Sequence, residues 1–244
     1  KIIQRSFRHL LAKPVTNSSV EESLYLVNDL PGLSVSGYFE AGSQVGDTKL
    51  NVNVNAERKY AANVRVDNHG SEKTGEFRAY TDFYLNNPLG IGDQLQLGVL
   101  GSFNPENSLY GSLRYSLPIY TSRLGFSLGV SNNDFVSATA GVASDSDFEI
   151  TGKSTVVDGA FRYKLDRTRK ENRSVVLGFS DIKSEIQYGT LLNAGTEKTV
   201  RKVDVTYEFD VLNEQKRILH QGGITFTASD FVKGAEEGQK ESLG

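Results

Sequence analysis

The chain has 244 residues, a net charge of -3 at pH 7, and neither Cys nor Met. The near-neutral charge excludes a basic surface that would attract nucleic acid, and the missing thiols exclude disulfides and thiolate metal sites in this stretch. No apolar run approaches the roughly 18 residues of a membrane-spanning helix. With 24 Gly, 11 Tyr and 13 Phe, the composition favours strands joined by tight turns.

Residues 1–58 predict a small α+β module. Apolar residues at helical spacing indicate a short helix in RSFRHLLAK and a second helix over residues 18–30, with Ser18 or Ser19 as its N-cap. The second helix ends before Pro31-Gly32, and two alternating strands follow, LSVSGYFEAG and TKLNVNVNAER. This order predicts an incomplete domain that lacks a first strand.

Residues 59–244 predict about nine strands, each near the 9 to 11 residues of a tilted membrane strand. In QLQLGVLGSF, for example, Leu95 and Leu97 alternate with Gln94 and Gln96, so the two sets point to opposite faces. Charged residues avoid one of the two faces in most segments. A change of parity in the segment RSVVLGFSDIKSEIQYG predicts a bulge, or a strand that continues beyond the bilayer.

The connections between the strands predict two unlike rims. Short turns such as NNPLGIG and DRTRKEN lie on one side, and long loops such as NNDFVSATAGVASDSDFEITGK lie on the other. This asymmetry is typical of outer-membrane barrels, whose short turns face the periplasm. The module of residues 1–58 joins on the short-turn side, so we expect it in the periplasm. Because bacterial barrels have an even number of strands, we expect more strands beyond Gly244.

The predicted fold class is mainly β: part of a transmembrane antiparallel β-barrel, preceded by the partial α+β module. Its charged face would line a wet lumen, because unpaired charges in a dry core cost several kcal/mol each, and its apolar face would contact outer-membrane lipid. The predicted lumen residues are Arg65, Asp67, Arg78, Asp82, Gln96, Arg114, Arg162, Asp204 and Glu208. A soluble β-sandwich, with the apolar face against a second sheet and the charges in water, is the alternative.

No catalytic or cofactor site follows from the sequence. The run GKST at 152–155 is similar to a phosphate loop, but Asp147 stands where a Gly is needed, and no helix is predicted after it. His9, His69 and His220 lie in unrelated segments with no second ligand at metal spacing. We therefore expect no enzyme activity, no cofactor, no metal and no nucleotide.

Three segments resemble one protein family. The stretch NSSVEESLYLVNDLPGLSVSGYFEAGSQVGDTKLNV resembles the second half of a POTRA domain of the two-partner secretion transporters (TpsB), the haemolysin-activator and haemagglutinin-transporter family. VDNHGSEKTG and NNPLGIGDQLQL resemble the first barrel hairpin and the first periplasmic turn of that family, and SLRYSLPI is similar to its fourth strand. The resemblance covers residues 18–130, and beyond them only the strand pattern.

The matched turns predict structural roles for their small and polar residues. Glycines and short polar side chains suit tight turns, and Asp93 can cap freed backbone amides. The predicted turn residues are Asn68, Gly70, Gly75, Pro88, Gly90, Gly92 and Asp93.

The resemblance implies an outer-membrane pore of a Gram-negative bacterium that recognises a large exoprotein in the periplasm and moves it to the cell surface without ATP. The partner would be a TpsA-type exoprotein with an N-terminal secretion domain, captured as an added strand at the edge of the POTRA sheet. The predicted partner-binding residues are Val20, Leu24, Leu26, Leu33, Val35 and Tyr38. An outer-membrane assembly or insertion factor of the same superfamily and a soluble β-sandwich binding domain are the alternatives.

Overall fold

The computed structural model describes residues 2–11, 15–44, 47–139, 148–188 and 194–233. The first part of the chain forms two helices and a two-stranded antiparallel sheet. Its elements are α1 (Ile2–Phe7), a 3-10 turn (Arg8–Leu10), α2 (Asn17–Asn28), β1 (Leu33–Ala41) and β2 (Thr48–Ala56). None of the helices in these ranges is long and apolar enough to cross a membrane.

The rest of the described chain forms one antiparallel sheet in which nine strands follow each other in chain order. The strands are β3 (Tyr60–Asp67), β4 (Phe77–Asn86), β5 (Gln94–Phe103), β6 (Ser108–Pro118), β7 (Leu124–Thr139), β8 (Phe148–Arg167), β9 (Glu171–Tyr188), β10 (Ala194–Asn213) and β11 (Ile218–Lys233). The predicted mainly β class and the up-and-down order of the strands are confirmed.

Helix α2 begins earlier than predicted. Its N-cap is Thr16, whose hydroxyl accepts a hydrogen bond from the amide of Ser19 at 3.3 Å. The expectation of Ser18 or Ser19 as the cap is wrong, because Thr16 is the residue with extended backbone just before the first helical turn. The helix packs a small core against β1, in which the buried side chains are Val27, Leu30 and Val35.

The register of the large sheet separates an apolar face from a polar face. Leu97 lies opposite Phe83 and Leu113, whereas Gln96 lies opposite Tyr84 and Arg114. The apolar face is solvent-exposed in the described chain. Its open side chains include Val64, Val99, Leu113, Leu128, Phe161, Leu177, Val203, Val205 and Phe226.

The exposed apolar face contradicts the soluble β-sandwich. A sandwich buries the apolar face of one sheet against another, but the only other sheet of the described ranges has two strands, β1 and β2, against nine in the large sheet. Exposed apolar side chains run across all nine strands, whereas a monomeric soluble protein rarely exposes a large contiguous apolar patch.

The strands differ from the prediction in length. Strands β3 to β6 have 8 to 11 residues, but β7 to β11 have 16 to 20. Much of the segment predicted as a long loop is therefore strand, because β7 continues to Thr139 and β8 begins at Phe148. The remaining loop residues, 140–147, 189–193 and 234–244, lie outside the described residues.

The parity change predicted in β9 results from an extended strand and not from a bulge. The register of β9 with both neighbours is continuous from Phe179 to Ile182. Asp181 occupies a position of the apolar face, where its carboxylate pairs with Arg201 of β10 at 2.9 Å. Asp181 and Arg201 thus lie on this face where the two strands have continued past the apolar band.

Candidate functional site

The polar face of the large sheet carries ion pairs whose two members lie on strands separated by one intervening strand. Arg114 of β6 reaches across β7 to Asp158 of β8, with 2.7 Å between Nη2 and Oδ2. Gly129 of β7 lies between them, and a Cβ atom there would be 2.8 Å from Arg114 Nη2. The glycine makes room for the pair.

A second pair follows the same plan further along the sheet. Arg162 of β8 pairs with Glu208 of β10, and Ser174 of β9 lies between them. The Ser174 hydroxyl accepts from Arg162 Nη1 at 3.0 Å and donates to Glu208 at 2.9 Å. The positive Arg162 and the negative Glu208 thus bond to each other and also to the hydroxyl between them.

The first strands form a third network on the same face. Asp67 accepts from Arg78 at 2.8 Å and lies 3.2 Å from Arg65 Nε, while Tyr80 donates to Asp82 at 2.7 Å. All nine predicted lumen residues lie on this polar face. They are Arg65, Asp67, Arg78, Asp82, Gln96, Arg114, Arg162, Asp204 and Glu208.

The N-terminal module lies against the rim of short turns. The Asp29 carboxylate accepts from Lys164 Nζ at 2.6 Å and from Arg167 at 2.8 Å. Glu22 pairs with Arg123 at 2.8 Å. The module is therefore held at the ends of several strands, on the predicted side of the sheet.

The ion pairs of Asp29 control the charge of its carboxyl group. Burial alone raises the pKa of Asp29, but the hydrogen bonds and charges of Arg167 and Lys164 outweigh burial and hold the pKa below its ordinary value of 3.8. Tyr25 of α2 extends the contact, because the Arg167 guanidinium lies over its ring at 5.2 Å. Sequence reasoning did not identify these residues, because no local pattern connects partners that are 138 positions apart.

The predicted turn between β4 and β5 is built around a buried carboxylate. Asp93 is 0% exposed and accepts from the Leu89 amide at 3.2 Å and from the Tyr115 hydroxyl at 2.6 Å. Gly90 and Gly92 both have positive φ, +76° and +81°. Pro88 lies in the same turn.

Gly92 is also a contact point with the N-terminal module. A Cβ atom at Gly92 would lie 3.0 Å from the Cβ of Leu30, whereas a Cβ at Gly90 would meet nothing within 4 Å.

The remaining predicted turn residues, Asn68, Gly70 and Gly75, lie in the narrow loop between β3 and β4. The Gly70 amide donates to the carbonyl of Glu76 at 3.0 Å, Gly75 has φ +111°, and Asn68 is exposed.

The residues predicted to bind a partner are not equally accessible. Val20, Leu26 and Val35 are buried, at 5%, 1% and 6% exposure, because they pack the module. The side chains of Leu24 and Leu33 are half-buried, and Tyr38 is exposed. Of the six predicted residues, Tyr38 on β1 is therefore the most accessible.

The described residues hold no candidate metal centre, since no group of three or more His, Asp or Glu side chains in them is placed to bind an ion. Residues 152–155, which are similar to a phosphate loop in sequence, lie in the middle of β8. A phosphate loop needs a turn that leads into a helix, and an extended strand has no such turn.

Comparison with known proteins decides the family. The model of the family "Haemolysin secretion/activation protein ShlB/FhaC/HecB" matches residues 46–200. The chain belongs to this family. Members of the ShlB/FhaC/HecB family are secretion and activation proteins and not an enzyme family, and they include the two-partner secretion transporters that the sequence resembles.

Curated relatives and solved structures agree with the family. The heme/hemopexin transporter protein HuxB of Haemophilus influenzae strain 86-028NP is 32% identical over 113 residues, which are 46% of this chain and 20% of HuxB. CdiB from Escherichia coli has a TM-score of 0.79 at 17% identity, over 96% of this chain and 43% of CdiB. CdiB from Acinetobacter baumannii has a TM-score of 0.69 at 14% identity, over 90% and 41%. The chain thus spans less than half the length of each of these proteins, and the likeness to the CdiB structures concerns the fold.

Proposed function

We propose that this chain is part of the outer-membrane pore of a two-partner secretion system. In this proposal the nine-stranded sheet is the first portion of a barrel, its apolar face contacts lipid, and its polar face lines the lumen. The module of residues 1–58 is the second half of a periplasmic POTRA domain. A TpsA-type exoprotein enters from the periplasm and leaves at the cell surface without ATP.

One observation carries the proposal: a single sheet has an exposed apolar face and an opposite face of paired charges, with a small module attached at the short-turn rim. Paired charges suit a wet channel, because each remains solvated or bonded, while the apolar face suits lipid. Arg114 with Asp158 and Arg162 with Glu208 provide a polar wall without an isolated charge. An extended chain with mixed side chains can pass such a wall without strong binding.

The free edge of β1 supports capture of the exoprotein. Strand β1 pairs with β2 and with no other strand of the described residues. An unpaired edge presents backbone donors and acceptors that an extended peptide can bind. Since the module is attached to the rim, a segment bound there is already beside the pore.

The test is secretion of the exoprotein by cells that produce the full-length protein. We expect the exoprotein at the surface or in the medium with the transporter, and in the periplasm without it. Unheated full-length protein from outer membranes should migrate faster on gels than heated protein, because a closed barrel resists detergent. Normal secretion without the transporter, or equal mobility in both lanes, would contradict the proposal. General loss of other outer-membrane barrels would instead indicate an assembly factor.

A further inference from the structure

The backbone of β1 has one side that faces β2 and one side that is free. Val35 shows which residues of β1 direct their backbone amide and carbonyl to the free side. Its amide donates to the Asn28 side-chain oxygen at 2.5 Å. The Val35 carbonyl accepts from the Asn28 side-chain nitrogen at 2.8 Å. Val35 therefore makes no ladder bond to its opposite residue Val54.

The alternation of an antiparallel ladder extends this assignment along the strand. Ser34, Ser36, Tyr38 and Glu40 bond to β2, and Gly37, Phe39 and Ala41 turn their amides and carbonyls to the free edge. The bond from the Gly42 amide to the Asp47 carbonyl, at 2.9 Å, continues the same phase. The free edge thus offers three consecutive outward residues beyond Val35.

Asn28 occupies the edge position at Val35 as a peptide group would. A side-chain amide has one donor and one acceptor in the arrangement of a backbone amide, so it completes both bonds of Val35. Asn28 is also held in place. Its neighbour Val27 is fully buried, and the next residue, Asp29, is bonded to Lys164 and Arg167.

Val35, whose outward amide and carbonyl are already bonded by Asn28, lies at the end of the free edge that is nearer to the rim of the barrel sheet. β1 starts at Leu33, just after Gly32, and a Cβ atom at Gly32 would lie 3.1 Å from the Cβ of Asn86 at the end of β4. A strand added to β1 from Ala41 towards the rim would therefore meet the Asn28 amide before it reached the rim.

We propose that Asn28 sets the register in which an extended segment of the exported protein adds to β1. The inference rests on the proposed function, since it assumes that the exoprotein is the added strand. The segment pairs with Gly37, Phe39 and Ala41 and leaves the sheet at Asn28, next to the turns of the barrel. Asn28 is a positioning residue that ends the pairing on the pore side.

The surroundings of the free edge define the chemistry of the segment. On the side of α2, Leu24 packs closely over Gly37, because a Cβ atom at residue 37 would lie 3.3 Å and 3.4 Å from the methyl groups of Leu24. Phe39 on the same side is 46% exposed. On the other side lie the exposed Ser36 and Tyr38. The segment that fits has apolar side chains towards α2 and polar side chains away from it.

The test measures register by disulfide formation in the full-length transporter with its exoprotein. Tyr38→Cys is placed in the transporter, because a residue bonded to β2 faces an added strand as a non-hydrogen-bonded pair, with Cα atoms about 4.5 Å apart. Single Cys residues are scanned along the secretion domain. With Asn28 we expect one main crosslinked position. With Asn28→Ala we expect a second position two residues away, since a slip of two keeps every side chain on its face.

Asn17→Ala is the matched control, because Asn17 lies in the same helix at its exposed start. It should retain the single crosslinked position. Gel mobility of the unheated variants verifies assembly of the barrel. If Asn28→Ala fails to assemble, Asn28→Asp preserves the acceptor for the Val35 amide and frees the Val35 carbonyl, and we expect the same second position.

The outcomes separate the two proposals. One unchanged crosslinked position in every assembled Asn28 variant overturns the role of Asn28 and leaves capture at β1 intact. No disulfide at any scanned position, while the exoprotein is still secreted, contradicts capture at β1 and with it that part of the proposed function.

Discussion

The carboxylate of Asp29 accepts two hydrogen bonds from the guanidinium of Arg167, each at 2.8 Å, although the residues are 138 positions apart. A bidentate pair of this kind fixes orientation as well as distance. Lys164 adds a third bond at 2.6 Å. This contact joins the C-terminal end of α2 to the end of β8, and it determines how the N-terminal module lies on the rim of the sheet.

Replacing Asp29 with Asn should loosen the module. The neutral amide loses the ionic part of three bonds, which we expect to cost about 1–3 kcal/mol of attachment free energy. Tryptic cleavage after Arg58, in the exposed connection to β3, should become at least about fivefold faster, because proteolysis follows the open population. Glu21→Gln, on the exposed side of the same helix, is the control and should leave the cleavage rate unchanged. Equal rates in both variants would contradict a role for the pair.

The attachment of the module should depend on acid. Because the pKa of Asp29 is lowered in the folded protein, its stabilisation is complete above the ordinary value of 3.8 and disappears as the pH falls through the lower folded-state value. Spin labels on α2 and on the turn between β8 and β9 should report a broader distance distribution below that pH. In Asp29→Asn the distribution should be broad at every pH. A narrow distance distribution in acid would show that other contacts hold the module in place without the charge of Asp29.

Gly92→Ala and Gly90→Ala separate turn strain from module contact. Both glycines have positive φ, so each Ala costs about 1–2 kcal/mol of backbone strain. Only the Cβ at residue 92 would press on Leu30, at 3.0 Å. We expect faster cleavage after Arg58 in Gly92→Ala than in Gly90→Ala. The same cleavage rate in both variants would mean that Leu30 can move aside without weakening the attachment of the module.

Val205→Arg and Thr206→Arg test which face meets lipid. The residues are adjacent on β10 and point to opposite faces, Val205 to the apolar one, where it is 44% exposed. A lipid-facing Arg costs about 2–4 kcal/mol near the bilayer midplane, and an Arg in a wet lumen costs far less. The unfolding of full-length protein in bilayers, followed by gel mobility, should therefore show a large loss only for Val205→Arg. A larger loss for Thr206→Arg would reverse the faces.

Gly129→Ala should disrupt the pair of Arg114 and Asp158. The added methyl would lie 2.8 Å from Arg114 Nη2 and 3.0 Å from Asp158 Oδ1, so the pair must separate or shift. We expect a loss of about 1–3 kcal/mol in unfolding of the full-length protein. Gly125→Ala, on the same face of β7 with only the Leu117 carbonyl at 4.0 Å, should be nearly neutral. Similar losses would indicate that strand propensity alone matters.

The sequence predicted the faces of the strands better than their lengths. The alternation of Leu95 and Leu97 with Gln94 and Gln96 is a local pattern, and a strand converts it directly into two faces. The pattern fails beyond the apolar band, where both faces are polar. The parity change at Asp181, opposite Arg201, therefore predicted either a bulge or a continuing strand, and only the register shows that the strand continues.

The residues of the candidate site also differ in whether their roles could be predicted from neighbouring positions in the sequence. Asp93 was predicted as a turn cap from its own neighbourhood, and the Leu89 amide is its partner four residues away. Val20, Leu26 and Val35 were predicted as a partner surface from the family resemblance, but a resemblance does not distinguish the core of the module from its groove. Asn28 had no signal at all, since its amide acquires a role only beside the free edge of β1.

The sequence by itself determined the mainly β class, the order of nearly all strands and the two faces of the large sheet, because period-two alternation and turn residues act over a few neighbouring positions. Only the tertiary structure decided where the module attaches, which strands extend past the apolar band and which edge groups stay free. Those features depend on partners such as Asp29 and Arg167, and a contact between residues so far apart in the chain leaves no periodic trace in the sequence.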